Sequence, residues 1–238
     1  PNPLALLPHQ HSANDCPLLT MEPGAAPTAL ISNSFRRRLK GKERKLQALP
    51  RYRSHIASTE ADITRLLDWF FRVKPLRMAE QKLPNVFADP GIEDFIRSAC
   101  TTPIAGGGHA IDIHALECDE EVIAIFAGVA DGYRFSMMFN TYTMSPHSKY
   151  SPGLILMRDI IDHYAAQSYR ALDLGIGSDD YKRLFCKGDE PIFDSFIALS
   201  QRGKFAASVM SGLNRTKRLV KHNPALLEMA QKLRSAFS

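Results

Sequence analysis

No apolar run in this 238-residue chain approaches the roughly 18 residues needed to cross a bilayer, so membrane contact would have to be peripheral. No basic start leads into an apolar block, so no secretory leader is expected. Cysteine is scarce. Cys16, Cys100, Cys118 and Cys186 stand far apart and form no C-x-x-C pair. That speaks against a zinc ribbon or a disulfide framework, and it fits a reducing, cytoplasmic compartment. No metal ligand set is expected; His109 and His114 are expected on opposite faces of a strand and so are no pair. Internal repeats and low-complexity tracts are missing as well. The triple glycine at 106–108 is followed by no Lys-Ser/Thr and sits in no strand-to-helix turn, so it reads as a flexible loop and not a phosphate cradle.

What is present has the composition of an ordinary globular protein, with enough length for one large domain or two small ones. The net charge of +5 is unevenly placed. Between Arg36 and Arg53 nine Lys/Arg face Glu43 alone, and from Lys204 onward seven face Glu228 alone, so the remainder is acidic. Such basic runs suit phosphate-bearing ligands, nucleic acid or an anionic membrane surface, and equally the solvated face of a helix. No aromatic side chain interleaves "RRRLKGKERK", which leaves a base-stacking surface with little support.

The opening "PNPLALLP" reads as a strand in progress, so the chain is expected to continue from an N-terminal lobe, with residues 1–33 as a Pro/Gly/Ala-rich connecting segment. Ser34 starts a helix to about Leu49, with Phe35, Leu39, Leu46 and Leu49 on one side. "YRSHIAS" is a short strand. "STEADITRLLDWFFRV" is a helix with a Ser/Thr cap and early acids, ended or bent by Pro75. "DPGIEDFIRSAC" is a helix capped by Asp89 with Pro90 first. Then the period changes to two. "HAIDIHALE", "EVIAIFAGVA" and "YRFSMMFNTYT" are strands joined by short turns, an antiparallel meander. A helix at 152–167, a strand "RALDLG", a short helix at 179–186 capped by Ser178 or Asp179 and a strand "PIFDSFIAL" follow. Residues 201–238 form a C-terminal helical extension broken at Pro224. The order predicts an α+β fold around one mixed sheet.

The stretch "YSPGLILMRDII" raises a chemical question. A helix start leaves about four N–H groups unpaired and concentrates roughly half a positive charge. Gly153 has no side chain to block a phosphate, Pro152 sets the first helical dihedral, and Ser148, Lys149 and Ser151 precede them. Pro-Gly serves equally as a plain helix start after a loop. The wide apolar face of Leu154, Leu156, Met157, Ile160, Ile161 and Tyr164 requires burial against a sheet, which would hold the helix end rigid. In the meander, Asp112 and His114 lie two residues apart on one strand face. They form a candidate general base, or else a solvated surface pair.

"YSPGLILMRDIIDHYAAQSYRALDLGIGSDDYKRLF" resembles the GNAT-fold acyltransferases, in the branch associated with cellulose biosynthesis (CelD-like), itself related to the aminoacyl transferases of peptidoglycan precursors. The resemblance rests on an S-P-G-x-x-L helix start, a D-L-G strand end, a D-x-Y-K helix start and the earlier "LPNVFADPGIEDFIR". It spans about residues 34 to 200. It implies a GNAT-like mixed sheet with a splayed strand and an acyl-CoA (acetyl-CoA) co-substrate. Phe139, Asn140, Thr141 and Tyr142 would offer backbone groups to the thioester, and the diphosphate would lie at Lys149, Ser151, Pro152 and Gly153. It also implies that Tyr181 protonates the departing thiolate, a phenol being a competent acid for that role. Lys182 would contact phosphate or the developing oxyanion, or pair with Asp179 or Asp180. One departure is the single glycine at 153, where GNAT enzymes often carry Q/R-x-x-G-x-G/A. The expectation is an acyl group moved to an amine or hydroxyl, plausibly on a saccharide or envelope precursor. Two alternatives stay open: a transferase using aminoacyl-tRNA, with the basic helix as RNA contact, and an inactive lobe serving assembly of a polysaccharide synthase.

Overall fold

The computed structural model describes residues 2–22, 24, 27–177, 179–223, 225, 226 and 229. The chain opens not with a strand but with a 3-10 turn, Pro3–Leu6, because Asn2 accepts the Leu4 N–H and a proline stands at the start. Strands β1 (Gln10–His11) and β2 (Cys16–Thr20) follow, then a helical turn α1 (Pro27–Leu30), α2 (Asn33–Gln47), β3 (Arg53–Ile56), α3 (Glu60–Glu80) and α4 (Ile92–Thr101). The meander is β4 (Asp112–Cys118), β5 (Glu121–Ala130) and β6 (Arg134–Tyr142). After a 3-10 turn, Pro146–Tyr150, come α5 (Pro152–Ala166), β7 (Ala171–Asp173), α6 (Asp180–Arg183), β8 (Gly188–Glu190), β9 (Phe193–Asp194) and α7 (Gln201–His222).

Two compact units result. The larger comprises Leu18–Gly175 and Leu184–Lys187; the smaller comprises Pro1–Pro17, Ile176–Arg183 and Gly188–Ser238. The sheet of the larger unit runs β3-β4-β5-β6-β7-β2. Every neighbouring pair in it is antiparallel except β6 and β7, which α5 joins as a parallel crossover, so the sheet is mixed as expected. β2 lies inside the expected connecting segment and pairs Leu18–Thr20 with Ala171–Asp173. It begins in the smaller unit, and its next neighbour there is β8. In the smaller unit β1 pairs with β9, and the expected strand 191–199 shrinks to two residues.

Alternation along β4 and β5 divides the core. Ile113, Ala115, Ile125 and Ala127 join Leu66, Phe70 and Ile96 of α3 and α4 on one face. Leu116, Cys118, Phe126 and Phe135 join α2 and α5 on the other. Leu156, Ile160 and Ile161 of α5 are fully buried, and each contributes about 1.5–3 kcal/mol. Polar bonds fix how α5 lies. Arg36 makes a fork to Asp162 at 2.6 and 2.8 Å, and buried Arg158 reaches Glu43 at 2.8 Å and Asp159 at 2.5 Å. Tyr52 donates to the same Glu43 at 2.9 Å. Part of the basic run is therefore internal to the fold: Arg36 is buried, while Arg37, Arg38, Lys40, Arg44 and Lys45 stay exposed.

Two expected helix starts need correction. α2 begins ahead of Ser34, with Ser32 at its N-cap and no side-chain cap bond. α3 continues past Pro75 to Glu80, so the proline does not end it; its start is capped by Thr59 accepting the Asp62 N–H, and packing of Met78 beyond the proline offsets the lost helical bond. α4 is capped not by Asp89 but by Gly91 at φ +80°, a conformation suited to glycine, so Pro90 stays outside the helix. Gly106, Gly107 and Gly108 all have positive φ, in a turn closed by Gly107 N–H to the Ile104 carbonyl. Ser178 and Pro224, the proposed cap and break, lie outside the described residues.

Candidate active site

The parallel pairing of β6 with β7 covers only Arg134–Ser136 against Ala171–Asp173. Beyond it no further pair of the ladder forms among the described residues, for reasons visible in both strands. In β6 the register against β5 jumps from Met137 opposite Gly128 to Phe139 opposite Ala127, so Met138 is an extra, bulged residue that bends the strand. In β7 the chain leaves through Gly175 at φ +77°, and Asp173 holds that turn by accepting the Gly175 N–H at 2.7 Å and Arg134 at 2.5 Å. Asp173 therefore serves the turn amide.

Which groups line this opening follows from alternation. The Thr143 N–H donates to Ile123 of β5, so Thr141 also turns its peptide groups toward β5, and those of Asn140 and Tyr142 point away from β5, toward the opening. The Asn140 carbonyl accepts the Lys74 ammonium at 3.0 Å, in agreement with that direction. Phe139 is buried and packs on Phe70 at 4.7 Å. Thr141 is buried too, and its hydroxyl has no partner among the described residues.

The start of α5 lies beside the end of β6. A Cβ built on Gly153 would stand 3.5 Å from the Tyr142 ring and 3.8 Å from Phe126. Ser151, at the N-cap, adopts φ +57° and ψ +54°, a left-handed conformation costly for a non-glycine residue. Its hydroxyl does not cap the helix; it accepts the Lys42 ammonium at 2.7 Å. Pro152 has no N–H, and Leu154 and Ile155 donate to the Ser151 carbonyl at 3.0 and 3.2 Å, which leaves the Gly153 N–H at the helix end. The site is thus narrower than four open amides: one amide, the helix dipole and a lysine. Arg77 adds a second cation, its guanidinium 3.5 Å from the centre of the Tyr142 ring. Lys149 is exposed and lies over Tyr150 at 5.1 Å, while Ser148 spends its N–H on Ser145. Lys42, Lys74 and Arg77 escaped the sequence reading. The only available signal was that Lys74 and Arg77, three apart, share a helix face.

Asp112 and His114 share a face as expected, and both reach the Tyr164 hydroxyl, His114 at 3.0 Å. Asp112 is half-buried and His114 is not on the surface. His114 is 4% exposed, with Phe135, Tyr164 and His163 around its ring. Burial first, then the nearby His163, pushes its pKa down to about 3, and burial raises that of Asp112. Tyr164 stands eleven residues along α5 from Gly153, about 16 Å at the helical rise. The cluster is a buried polar lock under the far end of α5, and the histidine in it is a weak base. His109 precedes β4 and is not on the strand.

Tyr181 and Lys182 belong to the smaller unit. Tyr181 is half-buried on α6. Lys182 is buried, donates to the Ile176 carbonyl at 3.1 Å and lies 3.5 Å from Asp179, so the expected pair with Asp179 is present.

The family model described as Acetyltransferase (GNAT) domain matches residues 33–183. Two solved structures are similar in fold. One is the C-terminal domain of a proposed lysylphosphatidylglycerol synthetase from Agrobacterium fabrum, 13% identical at a TM-score of 0.53, matching 86% of this chain and 64% of its own. The other is a conserved protein of unknown function from Bacteroides thetaiotaomicron, 12% identical at a TM-score of 0.51, matching 80% of this chain and 63% of its own. The chain therefore spans a little under two thirds of each of these structures. No curated protein matches it.

Proposed function

Because the chain belongs to the GNAT acetyltransferase domain family, we propose that it moves an acyl group from an acyl-CoA thioester to an amine or hydroxyl acceptor. The observation that carries this reading is a juxtaposition within the larger unit: a helix start without a side-chain cap sits against the end of β6, past the last residue that pairs with β7. The reaction transfers the acyl group from sulfur to the acceptor's nitrogen or oxygen and releases the thiol. The chain's part is to hold the donor. The Gly153 N–H, the helix dipole, Lys42 and Arg77 would receive its diphosphate. The outward peptide groups of Tyr142, at the end of β6, would align its amide-bearing arm and polarise the thioester carbonyl, with the Asn140 carbonyl held by Lys74 beside them. The preorganisation comes from the Arg36–Asp162 and Arg158–Glu43 pairs, which fix α5 before any ligand arrives. Tyr181 is proposed as the acid for the departing thiolate and Lys182 as a charge near phosphate. Buried His114 and half-buried Asp112, both on the Tyr164 hydroxyl, are proposed to position α5, with a part in acceptor protonation only if α5 moved. The resemblance to the cellulose-biosynthesis-associated branch favours a saccharide or envelope acceptor.

A second reading has its own support. The Agrobacterium neighbour's name concerns an aminoacylated lipid, and five exposed cations on α2 accompany Lys42. An aminoacyl-tRNA donor would use that helix. A thermal-shift screen of acetyl-CoA, longer acyl-CoA esters and aminoacyl-tRNA separates the two. A true donor at about 100 times its Kd stabilises by about 2.7 kcal/mol. Response to tRNA alone, falling steeply with salt, would favour the second reading. Response to no donor would leave the inactive lobe of a polysaccharide synthase.

A further inference from the structure

We propose that the outward face of α7 docks in the plane of an anionic lipid bilayer. This does not rest on the donor reading; it rests on the smaller unit alone. One side of α7 is tied to that unit. Ser211 donates to Gln10 at 2.7 Å, Asn214 to Asp194 at 2.6 Å, and Lys221 to Asn14 at 3.4 Å. At 100° per residue Phe205, Val209 and Leu213 fall on the roughly opposite side, and all three are exposed, Phe205 at 75%. Ile197 and Leu199, just before the helix, are exposed as well, Leu199 at 93%. An amphipathic surface helix normally turns its apolar stripe to a core; this one turns it to solvent.

Charge decides what covers it. Between Gln201 and His222 there are six Lys/Arg and no acidic residue. Arg202 falls within the stripe near the helix start, Lys217 flanks it, and Lys204 lies farther round toward the tied side; long side chains keep their cations in water while their stems cover apolar surface. A second copy of this chain would bring its own cations to the same seam. A phosphodiester backbone would satisfy the cations and leave the apolar stripe wet. A bilayer with anionic headgroups satisfies both, the stripe entering about 5–10 Å below the headgroups. At about 1.5 Å per residue the helix would lie some 33 Å along that surface.

The test uses the full 238-residue chain and sedimentation with vesicles of phosphatidylcholine alone, or mixed with phosphatidylglycerol in a seven-to-three ratio. We expect binding to the mixed vesicles only, weakened as salt rises from about 0.1 to 0.5 M. The double variant Phe205→Ser/Leu213→Ser and the triple variant Arg202→Gln/Lys204→Gln/Lys217→Gln should each bind at least roughly tenfold more weakly, with melting unchanged because every altered side chain is exposed. In a Leu213→Trp variant, excited beside buried Trp69, emission should shift to the blue on adding mixed vesicles. Absence of wild-type binding, undiminished binding by the double variant or an unshifted emission would overturn the proposal. So would concentration-dependent self-association that the double variant abolishes while vesicles have no effect.

Discussion

Replacing Gly153 in two ways separates shape from charge at the start of α5. In Gly153→Ala the new Cβ meets Tyr142 at 3.5 Å and Phe126 at 3.8 Å, ordinary contact distances that require no shift. Alanine is favoured over glycine in a helix by about 0.5–1 kcal/mol, and near the helix end by the lower figure. The melting temperature should rise by about 1–3 °C. Donor affinity should stay within about threefold, because the added methyl points at the Tyr142 ring and not along the helix axis. Gly153→Glu should fold as well, since a carboxylate in the first turn is worth about 0.3–1 kcal/mol to the helix. It would, however, occupy the anion position. At about 6 Å and an effective dielectric of about 20, each charge pair with the donor costs about 2.8 kcal/mol, a weakening of about 100-fold. Differential scanning fluorimetry reads stability and titration calorimetry with acetyl-CoA reads affinity. Equal losses in the two variants would mean that the glycine is needed for space. Unimpaired binding by the glutamate variant would remove the anion site from α5.

Other expectations follow from the same contacts. Arg158→Met leaves the largely buried Glu43 carboxylate with the Tyr52 hydroxyl but no cation and should cost about 3 kcal/mol in urea unfolding, whereas Arg36→Met, whose partner Asp162 is about a third exposed, should cost markedly less; equal costs would contradict the burial argument. His114, lowered from 6.5 to about 3 on folding, lacks a proton that the unfolded chain binds, so its contribution to stability is complete above pH 6.5 and lost as pH falls toward 3. The slope is at most about 1.4 kcal/mol per pH unit, with His163 adding in the same direction and the raised Asp112 opposing it. His114→Gln should flatten that dependence between pH 6.5 and 5, and an unchanged slope would show that His114 titrates normally. Tyr181→Phe should keep donor binding and lose turnover in an acetyl-transfer assay; full turnover would remove the phenol from the chemistry.

The strands of the meander and the helix after it were legible because their signals are local. β4, β5 and β6 alternate with short turns, and α5 carries an apolar face too wide for solvent. β2 was not legible. "CPLLT" is five residues with a proline, and it becomes a strand only because β7, some 150 residues later, lends it an edge. At Pro75 the local rule left open whether the helix ends or only bends, and burial of Met78 decides that it goes on. At the site, the S-P-G start pointed to Gly153, and the opening beside it follows from the bulge at Met138, which "RFSMMFNTY" does not announce. Lys42 and Arg77 reach the same place from two helices far away in sequence, and nothing in their spacing marks them. His114 illustrates the opposite error. Its strand-face pairing with Asp112 was readable, but that this face lies under α5 is a property of the layers.

The most direct measurement is a titration of acetyl-CoA followed in amide ¹H–¹⁵N spectra of the whole chain. If the helix start and the open edge of β6 hold the donor, the Gly153 and Tyr142 resonances should move most and saturate together. Saturable binding that leaves both unmoved, or flat spectra at millimolar donor, would contradict the account.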